Sequence, residues 1–231
     1  MRVKGPGPDE LIILAAEPGR SESSALAVWL RATRLKRLFR QGWLKRGIDE
    51  AHCESVADHS FGVALLALLL APKREGVDRE RAVLMALVHE LGEAYAGDIT
   101  PVDGVTKDEK RRLEGESLAR VLEGSPERGF ILDLWEEYEA NASATARFVK
   151  ELDRLEMGFE ASVHAAEGSQ RMGEFHDSAR LAVRSLELSE LLEAAIRGTG
   201  TQGARIRLHA TYSAAEVHAF SGKPSRSSRK A

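Results

Sequence analysis

The sequence has little cysteine and no excess of positive charge, and each absence excludes a class of protein. Cys53 is the only cysteine among 231 residues, so an intrachain disulfide or a cysteine-rich zinc site is impossible. The formal net charge is -3 at pH 7, which gives no overall attraction to nucleic acid or to an anionic membrane. We therefore expect a cytoplasmic protein of a reducing compartment that does not bind nucleic acid.

A long hydrophobic run is missing from the N-terminal region. Residues 11–16 form only a short apolar stretch, which follows Asp9 and Glu10 rather than a basic segment. A membrane span needs about 20 apolar residues, so this stretch is too short to cross a bilayer. We expect neither export nor membrane anchoring, and no membrane partner.

The domain organisation follows from composition. Hydrophobic residues make up 43% of the chain, which is enough for a substantial core. We predict an N-terminal extension at 1–22, one domain at 23–198 and a C-terminal extension at 199–231. The final segment SGKPSRSSRKA carries four basic and no acidic residues and has nothing to bury. We expect this basic tail to be disordered.

Strand-like alternation is also absent, whereas nearly every patterned segment has the period of a helix. The segments 55–71 and 80–92 are apolar almost all round, so we place them at the centre of a bundle. Residues 106–109 form a capping box that opens a helix running to about residue 123, and the Ser-Pro pair at 125–126 offers an N-cap for the next helix. Further helices are predicted at 23–41, 143–164 and 177–197. The predicted fold class is all-α.

Polar groups on the predicted core helices need an explanation. They are His59 in the first central segment, His89 and Glu90 at the end of the second, Glu93 one turn later, and Asp153 on the apolar face of a later helix. Burying an unpaired imidazole or carboxylate is costly, so such groups are normally paired or bound to metal. Each position therefore predicts either a satisfied core contact or a metal ligand.

The combination of His59, His89, Glu90 and Asp153 favours metal binding. Two imidazoles and two carboxylates suit a divalent transition metal. Such a set leaves coordination positions open for water and a phosphate oxygen, as a hydrolytic site requires. Taken alone, a histidine on an apolar helix is more often a satisfied core residue, and Asp153 could pair with an arginine.

These residues resemble, in order and rough spacing, the H…HD…D signature of the HD-domain metal-dependent phosphohydrolases. The surrounding sequence is similar to the branch that contains the bacterial 5′-deoxynucleotidases and their eukaryotic HD-domain-containing relatives. The segments that carry the resemblance are LKRLFRQGWLKRG, ESVADHS, HELGEAYAGDITP, KDEKRRLE, ELDRLEM and EFHDSARLAVRSLELSELLE. The match runs from about residue 35 to 192. It implies an HD-domain helical bundle with a central site for one divalent transition metal: Mn, Co, Fe, Ni or Zn.

The resemblance also implies an activity and roles for further residues. The expected enzyme is a metal-dependent phosphomonoesterase that removes the 5′-phosphate of (deoxy)nucleoside monophosphates, and the family commonly pairs as dimers. Glu93 would orient water or relay a proton, and Asp98 would bind or protonate the nucleotide. The segment that approaches phosphate and sugar contains Arg40, Trp43 and Arg46. Its alternative interpretation is a basic helix end with Trp43 packed in the core.

One departure from the family pattern keeps other functions open. The second motif of the family is His-Asp, whereas this sequence has His89 followed by Glu90. Glutamate keeps the charge but adds a methylene, and metal sites tolerate only small errors in ligand distance. The alternatives are a hydrolase of another nucleotide or small phosphate ester, and a catalytically weakened nucleotide-binding or scaffold protein. A di-iron oxygenase of the HD type would need extra histidine ligands.

A literal His-Asp pair occurs later, at His176 and Asp177. It follows a polar stretch and lies where a helix is predicted to begin, so Asp177 suits an N-cap or first-turn position. We predict a structural role for this pair.

Overall fold

The computed structural model describes residues 21–200, so the greater part of both predicted extensions, including the basic tail, lies outside the described residues. This part of the chain is all-α, as predicted, and its regular β-structure is limited to an isolated bridge between Phe39 and Ser55. Three short 3-10 segments, Thr33–Arg37, Ala71–Lys73 and Pro101–Asp103, connect the helices. The helices are α1 (Ser21–Ala32), α2 (Gln41–Leu44), α3 (Val56–Leu70), α4 (Arg79–Val88), α5 (Glu93–Ala96), α6 (Lys107–Val121), α7 (Arg128–Ala140), α8 (Ala144–Ala166), α9 (Gly173–Ala182) and α10 (Leu186–Gly200).

Side-chain caps set the starts of the long helices. The Ser55 hydroxyl accepts a hydrogen bond from the backbone N–H of Asp58, whose side chain in turn accepts from the Ser55 N–H. Thr106 caps α6 and Ser143 caps α8 in the same way, each through its hydroxyl oxygen. Each cap satisfies a backbone N–H that has no partner within the helix. The predicted starts of these three helices therefore agree with the structure to within one residue.

Three local predictions were wrong, two of them because of contacts with distant segments. The helix predicted at 23–41 ends at Ala32, since the chain becomes extended at Leu38 to form the bridge with Ser55. Ser125 does not cap α7, which begins at Arg128; its hydroxyl accepts from the N–H of Glu127 within a turn.

The helix predicted at 177–197 is two helices, α9 and α10. The chain leaves helical conformation at Val183, where ψ is 113°. The backbone N–H of Ser185 then donates to Glu151 of α8 at 3.1 Å. A tertiary hydrogen bond thus competes with helix continuation at this point.

The centre of the bundle is formed by α3, α4 and α8. The long helix α8 packs against α3, α4, α7, α9 and α10. Val149, Leu152, Leu155 and Ala161 of α8 are fully buried in the main core, where they lie among alanines of α3 and α4. A second cluster joins the 33–38 segment to α6 and α7 through Leu38, Leu118 and Trp135. The helices with the most buried faces are therefore those that carry His59, His89 and Asp153.

Helix α3 combines a buried face with an exposed apolar one. Within the described residues, Val56–Lys73 is long and apolar enough to cross a membrane by length and composition, which is weak evidence because core helices pass the same test. His59 on this helix is fully buried. We call its exposed side chains the α3 apolar face: Phe61, Leu65, Leu68 and Leu69. A soluble monomer rarely exposes a contiguous apolar patch of this kind without a binding role.

Gly92 lets α6 approach the turn between α4 and α5. A Cβ atom at Gly92 would lie 2.8 Å from the carbonyl oxygen of Glu114 on α6. Backbone cannot yield as a flexible side chain does, so a larger residue here would push α6 away. The close approach places Lys110 and Glu114 beside Glu93.

Candidate metal centre

Three elements deliver the four predicted ligands. His59 lies in the first turn of α3, and Asp153 lies in the middle of α8. His89 is the C-cap of α4, and Glu90 lies in the turn that follows. His89 and Glu90 are thus at the junction of α4 and α5 and not in the last turn of α4, because α4 ends at Val88.

The structure brings the four predicted ligands together. One ligand atom from each of His59, His89, Glu90 and Asp153 can be chosen so that all lie within 4.8 Å of one another. Nε2 of His59 is 3.3 Å from Oδ1 of Asp153, and Nε2 of His89 is 3.8 Å from Oε1 of Glu90. The two imidazole ring centroids are 5.5 Å apart. One cation could contact all four side chains after small adjustments.

The hydrogen bonding of the two histidines fits a bound metal. Nδ1 of His89 lies 2.7 Å from the carbonyl oxygen of Ala86, and Nδ1 of His59 lies 2.5 Å from Oε2 of Glu156. In contrast, both Nε2 atoms are buried without a hydrogen-bond partner. Because a carbonyl oxygen can only accept, His89 carries its proton on Nδ1 and presents a lone pair on Nε2. The donor set therefore suits a divalent transition metal.

Electrostatics at the site favours ionised carboxylates and at least one neutral imidazole. Burial lowers the pKa of His89. Burial alone would raise the pKa of Asp153, but Arg154 and His59 hold it well below its ordinary value. Burial and the charge of Arg40 oppose protonation of His59, yet the nearby carboxylates raise its pKa to about 10. A metal bound at His59 must therefore displace a proton.

Glu93 has the properties of a buried proton donor. It is fully buried, and neither carboxyl oxygen has a hydrogen-bond partner. Nζ of Lys110 lies 3.6 Å from Oε1 of Glu93. Burial, Glu90 and Asp98 raise the pKa of Glu93 well above its ordinary value. The raised pKa favours the protonated form of this carboxyl group, and a protonated buried acid can take part in proton transfer.

Arg40 and Asp98 lie together at the edge of the cluster. Nη1 of Arg40 is 3.5 Å from Oε1 of Glu90 and 3.3 Å from Oδ1 of Asp98. The other oxygen of Asp98 accepts a hydrogen bond from the backbone N–H of Gln41 at 2.5 Å. Asp98 thus anchors both the guanidinium and the start of α2. This arrangement holds a cation beside the site where a phosphate would bring negative charge.

The structure does not bring Trp43 and Arg46 into the cluster. Trp43 is 2% exposed, packs on Phe175 with ring centroids 4.1 Å apart and donates from Nε1 to Glu54. Arg46 forms a two-bond ion pair with Glu174 on α9. Trp43 therefore belongs to the core, as the alternative interpretation holds, and its predicted contact with a nucleotide is not supported. Among the described residues, no contact between Arg46 and the metal ligands supports its predicted role in binding phosphate or sugar.

Several supporting residues were missed from the sequence. The hydroxyl of Tyr138 donates to Oδ2 of Asp153 at 3.2 Å, and its ring lies 5.2 Å from that of His89. The sequence around Lys110 is mostly charged and resembles ordinary helix surface, yet Nζ of Lys110 lies 3.6 Å from Oε1 of Glu93 and 3.2 Å from Oε1 of Glu114. Only the packing of α6 against the turn at 89–92 shows that this lysine faces the site.

The pair His176 and Asp177 has structural contacts. Nε2 of His176 lies 3.1 Å from the hydroxyl of Ser162, and Asp177 pairs with Arg180 on the same helix. Helix α9 begins at Gly173, so Asp177 lies within the helix and the predicted N-cap position was wrong.

A buried cluster of two histidines and two carboxylates at the centre of a helical bundle defines a helical metalloprotein of the hydrolytic type. A model of the family described as HD domain matches residues 32–195, within the predicted domain 23–198. The chain therefore belongs to the HD domain family.

Similar proteins agree with this assignment. The human 5′-deoxynucleotidase HDDC2 is 37% identical over 164 residues, which cover 69% of this chain and 78% of that protein. The yeast 5′-deoxynucleotidase YGK1 is 36% identical over 157 residues, which cover 65% of this chain and 70% of that protein.

Solved structures show the same fold. The PH0347 protein of Pyrococcus horikoshii has a TM-score of 0.62 and 34% identity, and the match covers 76% of this chain and 98% of that one. A structure from Magnetospirillum magnetotacticum described as a predicted metal-dependent phosphohydrolase has a TM-score of 0.63 and 25% identity, with coverage of 80% and 96%. The two 5′-deoxynucleotidase relatives confirm the branch of the family that the sequence resembles.

The change His59→Ala tests the metal centre. We expect metal affinity to fall by at least about 100-fold, the upper end of the loss seen when a group that merely orients a ligand is removed. The measurement is metal content after dialysis against a chosen divalent ion, with titration calorimetry for affinity. His52→Ala is the matched control, since His52 is exposed and pairs only with Asp49. Wild-type affinity in the His59 variant would remove this residue from the site.

Proposed function

We propose that this chain is a metal-dependent phosphomonoesterase that removes the 5′-phosphate of (deoxy)nucleoside monophosphates. The observation that carries the proposal is the buried set of four ligands with two unpartnered Nε2 atoms. The relatives named 5′-deoxynucleotidases support the substrate class. Mn, Co, Fe, Ni and Zn are the candidate ions, since this donor set suits all of them.

A divalent ion held by His59, His89, Glu90 and Asp153 would polarise a phosphoryl oxygen and lower the pKa of water. Hydrolysis adds water across the P–O5′ bond, and the departing oxygen needs a proton. Burial and the nearby acids raise the pKa of Glu93 beside the cluster, which favours its protonated form, and we assign Glu93 to this transfer.

The cation Arg40 would offset the charge of the phosphate as the reaction proceeds. Its guanidinium already contacts Glu90 and Asp98, so its position is set before a substrate arrives. Asp98 therefore acts partly through Arg40, since its buried carboxylate contacts both that guanidinium and the backbone N–H of Gln41. Phosphoryl transfer depends mainly on positioning and charge stabilisation, which these groups supply.

The activity is tested by a matrix of metals and phosphate compounds. Metal-free protein is combined with each candidate ion and with Mg, and inorganic phosphate is measured. The panel contains deoxynucleoside 5′- and 3′-monophosphates, a triphosphate, a small phosphate ester and a DNA oligonucleotide. We expect phosphate release from the 5′-monophosphates with at least one ion, and none after chelation. Release from the small ester alone would favour the alternative hydrolase, and binding without turnover would favour a nucleotide-binding protein.

Glu90 provides a specific reason to consider weakened catalysis. Its carboxylate reaches the cluster but is also 3.5 Å from Nη1 of Arg40, so the guanidinium competes with a metal for the same charge. Burial opposes ionisation of Glu90, yet His89 and Arg40 lower its pKa to about 2. Glu90 is therefore an anion, as an aspartate would be. Its additional methylene group is the difference from the family's His-Asp motif that would weaken catalysis.

We expect Glu90→Asp to raise kcat by roughly 3- to 10-fold, which corresponds to about 1 kcal/mol of better ligand placement. Steady-state kinetics on the best substrate would measure this change. Glu90→Gln is the matched control, because it keeps the length but loses the charge and should lower both metal affinity and kcat. Equal or lower turnover in the Asp variant would show that the site is built around glutamate.

We propose that two copies of the chain pair through the α3 apolar face. The face lies on a helix whose other side is in the core, and Leu84 and Leu87 of the neighbouring α4 are also exposed. Covering large apolar side chains is a main source of association energy. The α3 apolar face is the observation that supports a homodimer. A lipid surface is the other partner that such apolar side chains could bind.

Light scattering on Leu65→Glu tests this pairing. We expect the wild type to have the mass of a dimer and the variant to shift toward monomer, because a buried carboxylate without a partner is costly. Leu181→Glu on α9 is the control, since Leu181 is also exposed but lies outside the face. A monomeric wild type would contradict the proposal, and retention on lipid vesicles would favour the lipid surface instead.

We also propose a cytoplasmic location. Burial and Glu54 raise the pKa of the Cys53 thiol to about 12, so this side chain is unreactive and fits a reducing compartment. Cell fractionation would check the location, and recovery in the membrane pellet would contradict it.

A further inference from the structure

Glu156 contacts the side of His59 that faces away from the metal cluster. Its Oε2 lies 2.5 Å from Nδ1 of His59, which is fully buried. Glu156 stands three residues after Asp153 on α8, so both point from the same side of this helix. Asp153 lies 3.3 Å from Nε2 of the same ring. Helix α8 therefore places a carboxylate near each nitrogen of one imidazole, and the contact at Nδ1 is the hydrogen bond.

Gly62 provides the room for this contact. It stands three residues after His59 on α3, in a helix that is otherwise strongly apolar. A Cβ atom at Gly62 would lie 2.5 Å from Oε1 and 3.0 Å from Cγ of Glu156. Glycine is less favourable than alanine inside a helix, so its use here needs a reason. The gap it leaves is filled by the carboxylate that reaches His59.

We propose that Glu156 is a positioning residue, which accepts the Nδ1 proton of His59 and thereby directs the Nε2 lone pair at the metal. This inference rests on the proposed metal-dependent function. A neutral imidazole has one N–H, so a carboxylate acceptor at Nδ1 selects the tautomer that can bind metal through Nε2. Metal-binding histidines commonly donate their second nitrogen in this way, and the partner also fixes the ring orientation.

Two further carboxylates, those of Glu54 and Glu156, lie near His59, and they make different hydrogen bonds. Oε1 of Glu54 accepts a hydrogen bond from Nε1 of Trp43 at 2.8 Å. Glu54 and Glu156 each place an oxygen in a group with His59 that spans less than 4.8 Å. Glu156 is the carboxylate that bonds to the imidazole, whereas Glu54 accepts a side-chain hydrogen bond from the Trp43 indole.

Metal affinity measured on three variants tests the proposal. Glu156→Ala should weaken binding of Mn²⁺ or Co²⁺ by about 10- to 100-fold. Glu156→Gln should lose less, because an amide oxygen can still accept the Nδ1 proton. Gly62→Ala keeps the carboxylate but displaces it, so it should weaken metal binding as Glu156→Ala does. Glu160→Gln is the matched control, since Glu160 lies one turn further along α8 and pairs with His164.

Two further readouts separate positioning from structure. The absorption spectrum of the Co²⁺ protein should change in the Glu156 variants, because the ligand geometry changes. Thermal unfolding of the metal-free variants should stay close to wild type for Gly62→Ala or Glu156→Gln, so that at least one variant is folded when affinity is measured. Wild-type metal affinity and Co²⁺ spectrum in both Glu156 variants would overturn the proposal. If the wild type binds no metal, the proposed function fails first.

Discussion

Two imidazole nitrogens and several carboxylates lie at the centre of a helical bundle, away from the water that would otherwise hydrogen bond to them. Within the described residues, Nε2 of His59 and Nε2 of His89 have no hydrogen-bond partner, and Glu90 is ionised next to them. A bundle of this size has only a few kcal/mol of net stability, so such groups persist only if something compensates their burial. A cation bound by side chains from three segments of the chain would compensate all of them at once, and the remaining features of the site surround that position.

The positive side chains around the cluster show how the protein tolerates this charge. Arg40, Lys110 and Arg154 each approach one of the buried carboxylates from a different element. They limit the repulsion among acids that lie within a few ångströms of one another. They also make the site attractive to a phosphate, whose charge the same cations can share. The acidic and basic side chains around the cluster therefore form one connected electrostatic group.

Much of this could be predicted from the residues. The apolar segments around His59 and His89 required a buried bundle, and the caps at Ser55, Thr106 and Ser143 gave helix starts directly. Features that depend on contacts between distant segments could not be predicted from the sequence. They are the helix break at Val183, the position of Lys110 beside Glu93 and the contact of Glu156 with His59. The choice between the two interpretations of Trp43 stayed open for the same reason, since a tryptophan in a basic segment carries no sign of which helix will cover it.

The glycines at 62 and 92 show where such an enzyme would be vulnerable to inherited change. Neither has a side chain that could bind a ligand, yet each leaves space that a carboxylate or a neighbouring backbone occupies. A survey that scored only ligand residues would class substitutions there as harmless. Natural variants that lose function should therefore include substitutions at these glycines as well as at the ligand residues, because the glycines determine where the reactive groups lie.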